Sequence, residues 1–443
     1  MQIPPSPIRP LLKKLIGQGL AAVDAHAAVA RAISRNGEEL VIGRRRYNLR
    51  RYERVVVLGA GKATASMARA VEQRLGSRLE GGFVVVKYGH GVPTKRIVVG
   101  ESGHPVPDQA GQRAAARLCA MATGLGRHDL LIVLLSGGAS SLLPAPVAGV
   151  TLADKRQTTQ ELLRCGASIR EINTVRKHLS RIKGGRLAEM TDATVVTLIL
   201  SDVLGDDLSA IASGPTAPDP TSYHDAVTIL KRYRIWRAVP QRVRRHLDRG
   251  CQGFESETPK PGSSLFRRVH HQIVGNNRAA VMAVIRAARE AGLRTLVHRS
   301  TLIGEAREEG KRFGLLARNI VGDNKPLRKP CCVVAGGETT VTVTGKGTGG
   351  RAQEFAVAAA LEIAGLAKVW VVAIGTDGTD GPTDAAGAVV DGQTVARAQR
   401  LSVDLKGALK RHNAYPALKT LQQLITTGPT GTNVNDLYLL LVL

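Results

Sequence analysis

Five segments of the chain join an apolar run to a cluster of glycines, hydroxyls and charges, and each suits a particular chemistry. Leu58-Gly59-Ala60-Gly61-Lys62-Ala63 sets a lysine directly after two glycines. Where a strand turns into a helix, backbone N–H groups point outward and the helix dipole favours anions. Lys62 with Gly59 and Gly61 therefore offers a clamp for a phosphate or carboxylate; the alternative is an ordinary surface lysine. The segment begins like a dinucleotide fingerprint, but Thr64 stands where the third glycine belongs. Glu80, near the spacing of a ribose-binding acid, sits in the turn-like Leu79-Glu80-Gly81-Gly82 instead of at a strand end. Nor is it a Walker A loop, whose lysine follows four intervening residues and a second glycine.

The second segment, Ser136-Gly137-Gly138-Ala139-Ser140-Ser141, follows the most apolar run. Its glycines and hydroxyls can wrap phosphate oxygens without a side-chain charge, or form a tight turn with serine caps. In the third, Asp202, Asp206 and Asp207 crowd behind another apolar run. Their repulsion is relieved by a cation such as Mg²⁺, or by solvent and helix capping. The fourth places Gly345, Gly347, Gly349 and Gly350 around Lys346 and ahead of Arg351 at a helix start. An arginine offers a planar fork of donors suited to phosphate or carboxylate. The fifth holds Asp377, Asp380 and Asp384. It lacks EF-hand spacing and reads either as a metal- or hydroxyl-binding loop or as an Asx-rich turn.

A basic stretch, Asn173 to Gly185, reads as a helix ending at a glycine pair, with Lys177 and Arg181 on one face. Like charges at that spacing repel slightly, and either an anion or solvent relieves them. No Ser-His-Asp or Cys-His arrangement stands out, and H-E-x-x-H is absent. His90 and His104 lie in the turn-like Gly-His-Gly-Val-Pro and Gly-His-Pro-Val-Pro, where structural and substrate-edge roles are both open.

The elements that must hold these segments alternate. Val55–Leu58, Phe83–Val86, Ile97–Val99, Leu130–Leu135 and Thr194–Leu200 read as strands, with helices at about 62–75 and 109–121. Strands alternating with helices imply βαβ units and a mostly parallel sheet covered on both faces. Near-continuous Val, Ile and Leu fits strands buried on both sides. The stretch from about 235 to 266, rich in Arg and Pro, marks a surface connection. Beyond it the rhythm resumes with strands 272–274 and 294–297 around a helix at 278–291. Val333–Ala335 and Thr340–Thr344 read as an antiparallel hairpin, followed by a helix at 352–363 and a strand at 369–374. The fold class is therefore α/β in two domains, the second with a mixed sheet.

Composition narrows the function. At roughly 150 residues per domain, 443 residues allow about two. The formal charge of +26 invites nucleic-acid binding, but the basic residues are scattered and aromatics make up only 3%. A single-strand binder would need stacking platforms and a focused basic stripe. No nucleic-acid partner is expected, and the excess reads as a basic surface that can also steer anionic small molecules. Five cysteines, an odd count without zinc spacing, fit idle thiols in a reducing cytoplasm. Apolar runs such as Leu437–Leu443 fall far short of the ~18–20 residues a membrane span needs. The stretch Leu11 to Ile33 reads as a structural first helix, not a targeting peptide.

Taken in order, Gly59-Ala-Gly-Lys-Ala63, Glu101-Ser-Gly-His-Pro-Val-Pro-Asp108, Leu135-Ser-Gly-Gly-Ala-Ser-Ser141, the stretch Asn173 to Leu187, Ser201-Asp-Val-x-Gly-Asp206, Gly336-Gly-Glu338, Gly347-x-Gly-Gly-Arg-x-Gln-Glu354 and Gly375-Thr-Asp-Gly-x-Asp-Gly381 resemble the glycerate 2-kinase family. This is the two-domain type whose C-terminal half is called MOFRL, and some members carry an older hydroxypyruvate reductase label. The resemblance runs from about residue 8 to the end. It implies an N-terminal Rossmann-like α/β/α domain, a smaller C-terminal α/β domain and an active site in the cleft between them. The implied domains are 1–240, a variable junction at 241–268, and 269–443 with MOFRL at about 330–440.

The resemblance further implies ATP- and divalent-metal-dependent phosphorylation of D-glycerate at its C2 hydroxyl. The family's active-site cations fall on Lys62 and Arg351. On this reading Gly59, Gly61, Ser136, Gly137, Gly138, Ala139, Ser140, Glu338, Gly349 and Gly350 bind the nucleotide, and Asp202, Asp207 and Asp377 are the candidates for Mg²⁺. A homo-oligomer is compatible with it. The competing readings are an NAD(P)H-dependent hydroxypyruvate reductase, resting on the partial fingerprint, and a basic nucleic-acid-binding protein.

Overall fold

The computed structural model describes residues 1–443, the side chain of Ser300 excepted. The chain forms two compact units, Ala25–Val274, and Met1–Asp24 together with Gly275–Leu443. In the first, β1 (Ile33–Asn36), β2 (Glu39–Ile42) and β3 (Arg45–Asn48) form a small antiparallel sheet. The main sheet holds β4 (Arg54–Ala60), β5 (Gly81–Lys87), β6 (Ile97–Ser102), β7 (Asp129–Leu135), β8 (Thr194–Leu200) and β9 (Val269–Gly275) in the order β6-β5-β4-β7-β8-β9. The pairs from β6 through β8 are all parallel. β7 is buried along its whole length, as strands covered by helices on both faces must be.

That order fixes where chemistry can sit. The chain passes from β4 to β5 on one side and later returns to β7 on the other, so the winding reverses between β4 and β7. Ligands of open α/β sheets bind outside the carboxyl ends of the strands at such a reversal. Ala60 pairs with Leu135, so the loops opening at Gly61 and Ser136 leave the sheet side by side.

In the second unit, β10 (Arg294–Leu302), β11 (Cys331–Gly337), β12 (Val369–Gly375), β13 (Gly387–Asp391), β14 (Leu424–Ile425) and β15 (Asp436–Val442) take the order β10-β11-β15-β12-β13-β14. β10 and β11 are parallel and the remaining pairs antiparallel, which makes the mixed sheet expected from sequence.

Four local readings differ from the structure. Thr340–Thr344 does not pair with Val333–Ala335; β11 is flanked by β10 and β15, and Thr340 makes only an isolated bridge to Glu305. A strand in the middle of a covered sheet must be apolar on both faces. The C-terminal Leu-rich run meets that demand, and the threonine-rich segment does not. The stretch Leu11 to Ile33 splits into helices Arg9–Ala22 and Ala25–Ala32 before β1 begins. The break falls at Val23, whose carbonyl accepts the Thr432 hydroxyl at 2.5 Å. The helix expected over 173–185 runs only over Ile169–His178, opened by a Ser168/Glu171 capping box. Arg181 N–H then donates to the Ala145 carbonyl at 2.9 Å, so Lys177 and Arg181 share no helical face. Finally, residues 241–268 are no linker. They include helix Gln241–Cys251, whose Val243 and Leu247 join a buried cluster with Leu162, Val175 and Leu230, and the units divide at Val274 instead. Among the described residues no helix is long and apolar enough to cross a membrane.

Candidate functional site

In the first unit the two central loops are locked to each other. Lys62 N–H donates to the Gly137 carbonyl at 2.9 Å, Ala63 N–H to Ser136 Oγ at 3.0 Å and Gly61 N–H to the Val85 carbonyl at 3.0 Å. The cradle read from sequence thus spends several of its donors on internal bonds, and Lys62 is held at its centre. Gly61 adopts φ +143°, and a Cβ there would sit 2.1 Å from Ser136 Oγ, so only glycine permits this approach. Gly59 lies within β4, where a Cβ would meet the Leu134 carbonyl at 2.3 Å; its role is close strand packing. Gly138 touches both His104 and the Lys62 stem: a Cβ there would lie 2.9 Å from the imidazole and 3.4 Å from Lys62 Cγ. Burial, then Lys62, Lys87 and His90, pull the His104 imidazole down to about 4, so it is neutral near pH 7.

Ser140 carries the loop downward. Its hydroxyl bonds Ser213 Oγ at 2.8 Å, which donates to Asn173 Oδ1 at 3.1 Å, while its carbonyl accepts Lys183 Nζ at 3.1 Å. Below it lies a cavity of about 390 Å³ bordered by His104, Gly138, Ser140, Lys155, Arg176 and Lys183. The basic stretch therefore contributes Arg176 and Lys183 to this site. Lys177 instead forms a buried ion pair with Asp219 at 3.2 Å.

In the second unit Arg351 opens helix Arg351–Glu362 and is gripped by carboxylates. Its Nε and Nη2 donate to Asp436 Oδ2 and Oδ1 at 2.7 and 3.0 Å, and Nη1 donates to Glu338 Oε1 at 2.5 Å. Asn435 Nδ2 holds the other Glu338 oxygen at 2.9 Å, and the Tyr438 hydroxyl donates to Asp436 at 3.0 Å. Asp436 opens β15 and sits opposite Gly337 and Gly375, so the ends of three strands converge on the guanidinium. Burial raises the Asp436 carboxyl to about 6 despite Arg351. Burial opposes the charge of Arg351 but is outweighed by Asp436 and Glu338, which hold the guanidinium above its ordinary range.

The N-terminus of that helix is already occupied. Asp380 accepts the N–H groups of Ala352 and Gln353 at 3.0 and 2.8 Å. Its carboxyl is pushed up to about 7 by burial and then by Asp436. A carboxyl with a raised value binds its proton in the folded state after the unfolded chain has lost it, so it erodes stability as pH rises from about 4 to 7. Asp380→Asn should therefore gain Tm relative to wild type progressively across that window. Equal Tm differences at pH 4.5 and pH 7.5 in thermal unfolding would contradict it.

The glycines ahead of Arg351 serve packing. A Cβ on Gly347 would meet the Arg411 carbonyl at 2.3 Å, one on Gly350 would meet Asp380 at 2.3 Å, and Gly349 lies against Ala414. Of the acidic residues read as metal ligands, Asp207 accepts Ser209 N–H at 2.9 Å and Asp377 accepts Thr379 N–H at 3.1 Å, both Asx-type turns. Asp202 follows β8 in the same loop as Asp207, while Asp377 follows β12 in the other unit. Among the described residues no three His, Cys, Asp or Glu side chains cluster as a metal site.

The structure thus joins Lys62 with Ser136, Gly137 and Gly138, and Arg351 with Glu338. Sequence reading missed Asn435, Asp436 and Tyr438. Their signal is a polar Asn435-Asp436 pair placed directly before an apolar strand.

Residues 11–248 match the model of a domain of unknown function, DUF4147, and residues 331–436 match the MOFRL family. A glycerate 2-kinase from Pyrococcus horikoshii is 42% identical over 98% of this chain and 97% of its own length. A relative from Agrobacterium vitis, provisionally named a hydroxypyruvate reductase, is 44% identical over 88% of this chain and 87% of its own. The crystal structure of a glycerate kinase from Thermotoga maritima superposes with a TM-score of 0.88 at 39% identity, covering 99% of this chain and 100% of that one.

Proposed function

The chain belongs to the glycerate 2-kinase family, a kinase that transfers a phosphoryl group to an alcohol, and on that premise we propose that its acceptor is the C2 hydroxyl of D-glycerate, its donor ATP, and Lys62 and Arg351 the cations that act on them. The observation that carries the assignment is Lys62, held at the carboxyl ends of the two central parallel strands where the winding reverses. Phosphoryl transfer asks a protein for positioning and charge neutralisation more than for covalent chemistry. The Lys62 ammonium supplies a point charge for the transferring phosphoryl group. Neutral His104 beside Gly138 offers a hydrogen-bonding edge without competing charge.

Arg351 has five donor N–H groups, of which three are spent on Asp436 and Glu338, leaving two for a reactant. Asp436 fixes the plane of the fork, so the two that remain point in a set direction. Asp202, Asp207 or Asp377 is the carboxylate that would hold Mg²⁺. A hard cation of this kind typically takes one or two protein carboxylates along with substrate phosphates, so a three-ligand cluster is not required. When bound, it neutralises phosphate charge.

The test is the product. Incubation with D-glycerate, ATP and Mg²⁺, followed by phosphorus NMR, is expected to give 2-phosphoglycerate. A 3-phosphoglycerate signal would overturn the regiochemistry. Consumption of NADH with hydroxypyruvate, in place of ATP with glycerate, would favour the reductase. Against that reading, the fingerprint's third glycine is Thr64, whose hydroxyl is turned onto the Gly61 carbonyl at 2.5 Å.

A further inference from the structure

We infer that Arg176, Lys155 and Lys183 form an oxyanion pocket that holds the carboxylate or phosphoryl oxygens of a reactant beside Lys62, an inference that deepens the kinase reading above and rests on it. The three cations come from separate elements and border one cavity of about 390 Å³. Lys155 lies on helix Leu152–Arg164, Arg176 on helix Ile169–His178, and Lys183 in the turn before Gly184. Lys155 and Lys183 are only 9% and 2% exposed. Their ammonium groups are met by backbone carbonyls alone: Leu179 at 3.0 Å for Lys155, and Ser140 and Ala212 at 3.1 and 3.4 Å for Lys183. Arg176 makes no side-chain hydrogen bond among the described residues.

Among the described residues no carboxylate acts on any of the three. Burial and then Arg176 bring Lys155 down to about 7, burial and then its two neighbours lower Lys183 well below its usual value, and burial alone lowers Arg176. The other charged groups at the cavity are cationic or neutral. Arg156 donates to the Pro107 carbonyl at 2.6 Å, and His104 is neutral near pH 7. Buried like charges without counter-ions are costly in a low-dielectric site. The fold elsewhere neutralises a buried lysine with an acid, as Lys177 with Asp219. Here it does not, so the lysines lose protons more readily than usual, and an anionic ligand that enters the pocket supplies the missing counter-charge and draws those protons back. Apolar Val106, Pro144 and Leu163 also border the cavity. Gly138 borders the same cavity and touches the Lys62 stem, so an anion seated there lies next to the proposed phosphoryl clamp.

Arg176→Met is the discriminating variant, because Arg176 has no protein partner to lose. It should leave Tm unchanged or raised while weakening oxyanion binding about 10- to 100-fold, the size expected for a charge-assisted bond. A higher KM for D-glycerate alone would place the carboxylate in the pocket; a higher KM for ATP alone would place phosphates there. Arg176→Lys, which keeps the charge, should recover part of the affinity. Isothermal titration with inorganic phosphate tests the pocket apart from turnover, and wild type should bind more tightly than Arg176→Met. If wild type fails to phosphorylate glycerate yet phosphate binding still depends on Arg176, the kinase reading falls and the pocket stands. Unchanged KM for both reactants with unchanged phosphate binding overturns the pocket, as would equal losses in the Met and Lys variants.

Discussion

Arg351→Ala is expected to lower kcat/KM by about 10²–10⁴ and to destabilise the protein by about 2–3 kcal/mol. The stability loss comes from Asp436. Removing the guanidinium leaves a carboxylate that is 1% exposed without its bidentate partner. Breaking a fully buried pair costs roughly 3–5 kcal/mol; the smaller figure allows for the one-third exposure of Arg351. The deficit should depend on pH. Asp436 already titrates near 6 with Arg351 in place, and without it the carboxyl must move higher still. Below that value it is protonated and tolerates burial, so the Tm difference from wild type should be small at pH 5 and large at pH 8. Adding Asp436→Asn should restore much of the Tm but not the activity. If the double variant recovers both, Arg351 is a structural clamp for β15 and no part of the phosphoryl-transfer machinery.

Lys62→Ala should likewise lower kcat/KM by about 10²–10⁴, without unfolding the protein. The Lys62 backbone N–H bond to the Gly137 carbonyl, which helps lock the two central loops together, is retained by alanine. The variant also has a spectroscopic signature. Lys62 is the second cause, after burial, of the low His104 value, so the imidazole should titrate higher once the ammonium is gone. Proton NMR of the His104 ring across pH 3–7 would read this directly. Near-normal turnover in the variant would remove Lys62 from the reaction, whatever the histidine does.

Much of this was legible in one dimension. Leu130–Leu135 and Thr194–Leu200 announce buried parallel strands because a strand covered on both faces has no polar side to display. Lys62 and Arg351 stand out as candidates because glycines and a cation at a helix start form a local pattern. Other features carry a cause that spacing does not show. Among the glycines before Arg351, Gly345 and Gly347 admit the close approach of Arg411 and Gly350 that of Asp380, residues remote in sequence. Thr340–Thr344 has the alternation of a strand, yet β15 takes the place beside β11.

The sequence by itself determined the α/β class and the strand-end loops, which depend on neighbours a few residues apart, and the family membership, which the order of those motifs reveals. Only the tertiary structure decided that Asp436 grips Arg351 across 85 positions, that Asp380 fills the helix end beside it, and that Arg176, Lys155 and Lys183 meet without an acid. Those relations are set by strand order and by which charges burial leaves together. Electrostatic energy depends on distance and dielectric in space, and neither is written in the spacing of residues along a chain.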